Sequence, residues 1–134
     1  MPESQSKAVV PSIWWEFYEQ TGIPAATSTG DSLHVTGHTG TLEDGTFPAG
    51  AQAQIRQTFL NLTDTLSAAG ASWGEVVSIN SYQVGLRAQG DLLLMVAAEF
   101  MEPPFPAWTA VGVTELYEDE AVVEISCIAA LNVV

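Results

Sequence analysis

The apolar positions of this chain change period along its length, and each period predicts an element. Ile55, Phe59, Leu62, Leu66 and Ala69 advance by three or four, which predicts a helix from about residue 49 to 69, with Gly70 ending it. Leu92, Val96 and Phe100 advance by four and predict a second helix in "AQGDLLLMVAAEFM". "PPFP" must break it, because proline cannot continue the helical ladder. "AATSTGDSLHVTGHTG" reads as two short strands around a Gly30-Asp31 turn, and "GTLEDGTFPAG" as a loop with a turn at Asp44-Gly45. "EVVSINSYQV" is a further strand. "AWTAVGV" and "AVVEISCIAAL" are the last two, joined by the acidic turn "YEDE". The order β-β-α-β-α-β-β predicts an α+β domain, one mixed sheet with two helices on one face. Residues 1–12 read as a loose polar arm. In "IWWEFYEQTG", Ile13 with Phe17 and Trp14 with Tyr18 are four apart, as on a short helix. These large side chains must bury somewhere, on the domain or on a neighbouring subunit. The expected division is therefore an arm with an aromatic segment over 1–22 and a single domain over 23–134.

Alternation sorts the side chains of the last strands. Val123, Ile125, Cys127 and Ala129 share an apolar face that should meet the helices, so Cys127 reads as a small core residue. Glu124, Ser126 and Ile128 share the opposite face, where Glu124 is either solvated or lines a pocket. Trp108, Ala110 and Gly112 share one face of their strand, and this face is expected to be the one away from the helices. A tryptophan there needs covering, and a second subunit would cover it.

Charge then narrows the function classes. Three basic residues, Lys7, Arg56 and Arg87, stand against sixteen carboxylates, for a net charge of −13. Binding to nucleic acid needs cations to neutralise phosphates, and an anionic membrane surface needs them too, so neither partner is expected. The longest apolar run, Leu92 to Ala98, is too short to span a bilayer, and "MPESQSKAVV" lacks the form of a secretory signal. One cysteine rules out an internal disulfide framework, and a cytoplasmic location is the expectation. His34 and His38 are four apart on a strand-to-loop path without a third ligand, so no metal site is expected. His38, just past "VTG", is placed at a pocket rim, where a near-neutral pKa would suit acid–base work, or is simply structural. No GxSxG, P-loop or dinucleotide fingerprint is present.

The segments "LHVTGHTG", "AQAQIRQTFLNLTDTLSAAGASWGEVVSINSYQV", "EFMEPPFPAWTAVGV" and "VVEISCIAAL" together resemble the reactive-intermediate deaminase family, YjgF/RidA, from about Ile23 to Leu131. The resemblance implies a chorismate-mutase-like α+β fold and a homotrimer with clefts between subunits. It implies cofactor-free hydrolysis of enamines and imines to a 2-keto acid and ammonia. The family's substrate-gripping arginine follows "PFPA", and here that position is Trp108. The cysteine two residues on is Ala110, an asparagine of the second helix aligns with Leu94, and the glutamine after the strand-end glycine is His38. Gly37 remains, as does Glu124 in the place of the water-orienting carboxylate. Losing a charge-assisted clamp costs on the order of 2–5 kcal/mol of binding, so activity on 2-imino acids is expected to be weak or absent. The family's older ribonuclease and translation-inhibitor labels fit poorly with three cations.

Two functions follow from this reading. One is a diverged imine or enamine hydrolase, or a related pathway enzyme, with Glu124 and His38 as catalytic groups. Trp108, Gly37, Phe105, Leu94 and Ala110 would then shape a pocket for a small non-carboxylate or aromatic substrate. The other is a non-catalytic trimer that binds a small ligand or a protein, its cleft plugged by Trp108.

Overall fold

The computed structural model describes residues 6–131. Six strands form one sheet, β1 (Lys7–Val9), β2 (Ala26–Ser28), β3 (Ser32–His38), β4 (Val76–Gln83), β5 (Ala107–Gly112) and β6 (Val123–Ala130), in the spatial order β1-β2-β3-β6-β4-β5. Three helices accompany it, α1 (Trp15–Thr21), α2 (Ala51–Ala68) and α3 (Leu86–Ala97). All neighbouring strands are antiparallel except β4 and β5. That pair is parallel because α3 carries the chain back across the sheet between them, and a crossover helix is the usual way to bring two strands parallel. The α+β architecture with a mixed sheet holds.

The periodicities mark the core. Ile55, Phe59, Leu62 and Leu66 of α2 are buried, as are Leu93 and Val96 of α3. They meet Val123, Ile125, Cys127 and Ala129 of β6 and Leu33 and Val35 of β3, which are buried on the same side of the sheet. Phe59 sits at the centre, with Phe100 stacked at 5.3 Å and Trp73 tilted at 5.5 Å between ring centroids. Gly70 ends α2 with φ +77°, and the Ala71 N–H bonds the Leu66 carbonyl. Cys127 is 2% exposed, and burial pushes its thiol up to about 12, so it is an inert core residue.

Two expectations need correction. The first concerns the N-terminal arm. Lys7–Val9 pair with Ala26–Ser28, so the sheet begins ahead of the expected boundary at residue 22, whereas residues 1–5 lie outside the described residues. The aromatic segment then forms a short 3-10 turn at Ser12–Trp14 and α1, capped by Gly22 at φ +77°. The second correction concerns Trp108. It pairs with Ile79, which pairs in turn with Cys127, and residues directly opposite in a sheet share a face. Trp108 therefore lies on the helix side and not on the face of Glu124. Its indole is half-buried near Phe59, at 6.5 Å between ring centroids, and its Nε1–H donates to Ser81 Oγ at 2.9 Å. Alternation within one strand gives two faces, but only the pairing between strands says which of them meets the helices.

Candidate functional site

Glu124 is the middle of the site. On β6 its neighbours Val123 and Ile125 point into the core, so alternation turns its carboxylate to the other face. There it lies against Gly37 of β3, and a Cβ at position 37 would overlap the carboxylate. Gly37 thus makes room for a charged group that a side chain would displace. Burial, and then the charge of Glu118, hold the Glu124 carboxyl above its ordinary value.

A cavity of about 740 Å³ opens over this carboxylate. One wall comes from the aromatic segment, through Ile13, Trp14 and Phe17. The other comes from the loops after β3 and before β6, through Thr39, Tyr117 and Glu118. Among the described residues lining it, none is lysine, arginine or histidine. Glu118 is held in place, because its Oε1 accepts a hydrogen bond from Thr39 Oγ1 at 2.9 Å. The loop that carries Thr39 is itself fixed from α2, where Asn61 Nδ2 donates to the carbonyls of Thr39 and Thr41 at 2.9 and 2.8 Å. A second cavity, of about 640 Å³, lies between Trp73, Phe100 and Pro103–Pro104 and shares no lining residue with the first.

His38 does not reach the cavity. It is 3% exposed, on the helix side of β3. Its Nδ1 lies 2.6 Å from the Thr36 carbonyl, which can only accept, so Nδ1 carries the proton. Nε2 then accepts from Thr65 Oγ1 of α2 at 2.8 Å. Both nitrogens are committed, and burial lowers the pKa to about 4. The placement of His38 at a pocket rim for acid–base work is therefore corrected: the ring is a neutral structural imidazole. Trp14 stacks on it with 4.5 Å between ring centroids. His38 thus supports the cavity wall from behind.

The remaining candidates lie apart from Glu124 in this chain. Trp108 and Phe105 are half-buried against the core on the helix side, Leu94 is 52% exposed on α3, and Ala110 is exposed on β5. None lines the cavity. Arg56 is not a substitute clamp, since its guanidinium makes two hydrogen bonds to Glu99 at 2.8 and 2.6 Å on the outer surface of the helices. Glu118, Trp14 and Phe17 are the site residues that the sequence reading passed over. The signal for the two aromatics was their need for a place to bury; Glu118 sat in an acidic turn that reads as solvated. Among the described residues no group of three or more His, Cys, Asp or Glu side chains could hold a metal ion, and no helix is long and apolar enough to cross a membrane.

With this geometry in place, similarity to known proteins becomes informative. The family model described as endoribonuclease L-PSP matches residues 18–131. The RutC family protein YjgH of Escherichia coli (strain K12) is 39% identical over 110 residues, covering 81% of this chain and 84% of that protein. A 2-iminobutanoate/2-iminopropanoate deaminase of Dermatophagoides farinae is 34% identical over 113 residues, covering 80% and 84%. Among solved structures, protein YJGH superposes with a TM-score of 0.86 at 36% identity over 96% of this chain and 98% of that one. RidA from the Antarctic bacterium Psychrobacter sp. gives 0.80 at 25% identity over 96% and 100%.

Proposed function

Because the chain belongs to the YjgF/RidA family, the endoribonuclease L-PSP group of proteins, we propose that its Glu124 cavity hydrolyses the C=N bond of small imines or enamines that lack a carboxylate. The observation that carries this reading is the Glu124 carboxylate itself, part-desolvated, seated on Gly37 and facing a cavity without a cation. A carboxylate with a raised pKa can take a proton from water and give it back near neutral pH.

The step balances with that one group. Water attacks the iminium carbon while Glu124 accepts its proton, and the C=N π pair moves to nitrogen. The resulting carbinolamine is protonated on nitrogen by the Glu124 carboxylic acid. The C–N bond then breaks to release ammonia, and the Glu124 carboxylate takes the hydroxyl proton as the carbonyl forms and passes it to the ammonia as ammonium. The net change is iminium plus water to carbonyl compound plus ammonium, and it draws on no cofactor.

A 2-imino acid fits this cavity poorly. Its carboxylate would face Glu118 and Glu124 with no arginine in the lining to grip it. The deaminase relative suggests the reaction, not the substrate. The test is ammonia release from a carboxylate-free ketimine generated in the assay, run beside 2-iminobutanoate. Turnover of the first is expected, with kcat/KM for the second lower by about 10²-fold. Equal turnover of the two would refute the loss of the clamp, and release from neither would refute the hydrolase reading.

The same reading proposes a homotrimer, with no nucleic-acid or membrane partner. Its support is the surface left over: among the described residues β5 is an edge strand, with β4 on one side and no strand on the other. Val111 on it, and Leu94 and Met95 on α3, are 40%, 52% and 58% exposed. Light scattering should give three times the 14.2 kDa chain mass, and a monomer mass would overturn the proposal.

A further inference from the structure

The aromatic wall of the cavity is fixed at several points before any ligand arrives. Trp14 Nε1–H donates to the Ile23 carbonyl at 2.9 Å, and Phe17 and the indole stand 5.2 Å apart between centroids with their planes at 75°. His38 backs the indole. The end of α1 is tied down by Thr21, whose Oγ1 donates to the Phe17 carbonyl at 2.7 Å and accepts from the Ile23 N–H at 3.1 Å. Across the cavity stands Glu118, held by Thr39. Two rings and an oriented carboxylate thus converge on one space, which at about 740 Å³ is within the usual size of a small-molecule pocket.

The chemistry of that space favours positive charge. Ring faces carry negative potential and attract ammonium-type groups, more strongly where water is excluded. The carboxylates of Glu118 and Glu124 act in the same direction and repel an anion. Preorganised walls lose little entropy on binding.

We propose that Trp14, Phe17 and Glu118 form a cation-recognition subsite, so that the ligand of this cavity is an organic cation, an iminium or ammonium on a flat or aromatic body. This rests on the reading of the cavity as the hydrolytic site, and it names the substrate class that the site accepts. The overall charge of −13 would attract any cation weakly, so the subsite must show itself through single side chains.

Benzylammonium, benzyl alcohol and benzoate share one ring and differ in charge, and calorimetric titration of the full chain with each separates these effects. Benzylammonium is expected to bind about tenfold or more tightly than benzyl alcohol, with no saturable binding of benzoate. Glu118→Gln changes the net charge by one unit only. It should weaken benzylammonium about fivefold or more and leave benzyl alcohol unmoved. Phe17→Leu keeps an apolar side chain without the ring, spares the packing of Trp14 on His38, and should also weaken benzylammonium a few-fold. Benzoate binding as tightly as benzylammonium, no saturable benzylammonium binding, or a Glu118→Gln protein with unchanged affinity would each overturn the proposal. Binding needs no turnover, so its failure and that of the hydrolase reading are separable. Benzylammonium binding without ammonia release from any imine supports the subsite and removes the hydrolase. Ammonia release with equal binding of benzoate does the reverse.

Discussion

Glu124→Gln is expected to lower kcat for ammonia release from a carboxylate-free ketimine by about 10³-fold, within the range that removal of a general base usually gives. Glutamine keeps the shape of the side chain over Gly37 and can still hydrogen-bond a water. It cannot take the water's proton or return one to nitrogen, so binding of a cationic ligand should fall less than turnover. The pH profile supplies a second readout. Burial and the neighbouring Glu118 charge raise the Glu124 pKa, so the acid limb of kcat should lie above the ordinary glutamate range and vanish in the variant. Glu118→Gln removes the like charge and should move that limb to lower pH while leaving it in place. Retention of wild-type turnover to within about threefold in Glu124→Gln would show that another group handles the proton.

The parts of this protein that could be read from its sequence are those set by local periodicity. Helices at 51–68 and 86–97 and the strands holding "SLHVTGH", "VVSINSYQ" and "VEISCIAA" lie within a few residues of the pattern's prediction. The first helix of the pattern stops at Gly70 as expected, whereas the second begins at Leu86, ahead of the apolar run that announced it. Facing was legible where a strand alternates strongly, as in β6, where all four apolar positions are buried. It was not legible for β5. There "WTAVG" is weakly apolar on both faces, and pairing with Ile79 alone decides that Trp108 turns toward Phe59.

The candidate site shows the same division. Glu124 is singled out by alternation along its strand and by the family resemblance, Gly37 by the resemblance alone, and the structure brings them into contact. The rim placement of His38 fails because its environment is set by Thr65, 27 residues away on α2, and by Trp14 from the N-terminal aromatic segment. A histidine beside a strand-end glycine looks accessible until a helix hydroxyl and an indole close over it. Trp108, which stands where the resemblance implies the family's arginine, is half-buried near Phe59 on the helix side. The proposed loss of the clamp therefore rests on the cavity lining, where no arginine, lysine or histidine stands among the described residues.

Acid should destabilise the fold through His38 more than through any other single group described, by about 3 kcal/mol when fully expressed. The unfolded imidazole titrates near 6.5 and the folded one near 4, so between these values the unfolded chain binds the extra proton. The contribution is therefore complete above about pH 6.5 and is lost as pH falls toward 4. At 3% exposure there is little solvent screening to reduce it. The structural reason is burial, which disfavours the charged ring, and a proton on Nε2 would also point at the Thr65 hydroxyl, which would have to turn from donor to acceptor. Glu124 works the other way. Its folded pKa is raised, so protonating it as pH falls relieves an unfavourable buried charge and offsets part of the loss. His38→Gln separates the two, because an amide can donate to the Thr36 carbonyl and accept from Thr65 without titrating in this window. Urea unfolding at fixed protein concentration, at pH 7.5 and again near 4.5, should show the wild type losing stability that the variant keeps. Parallel losses in the two proteins would place the acid sensitivity elsewhere. A selective loss in the wild type would assign the acid sensitivity to His38, so that the ring supporting Trp14 from behind is also the group through which acid weakens the fold.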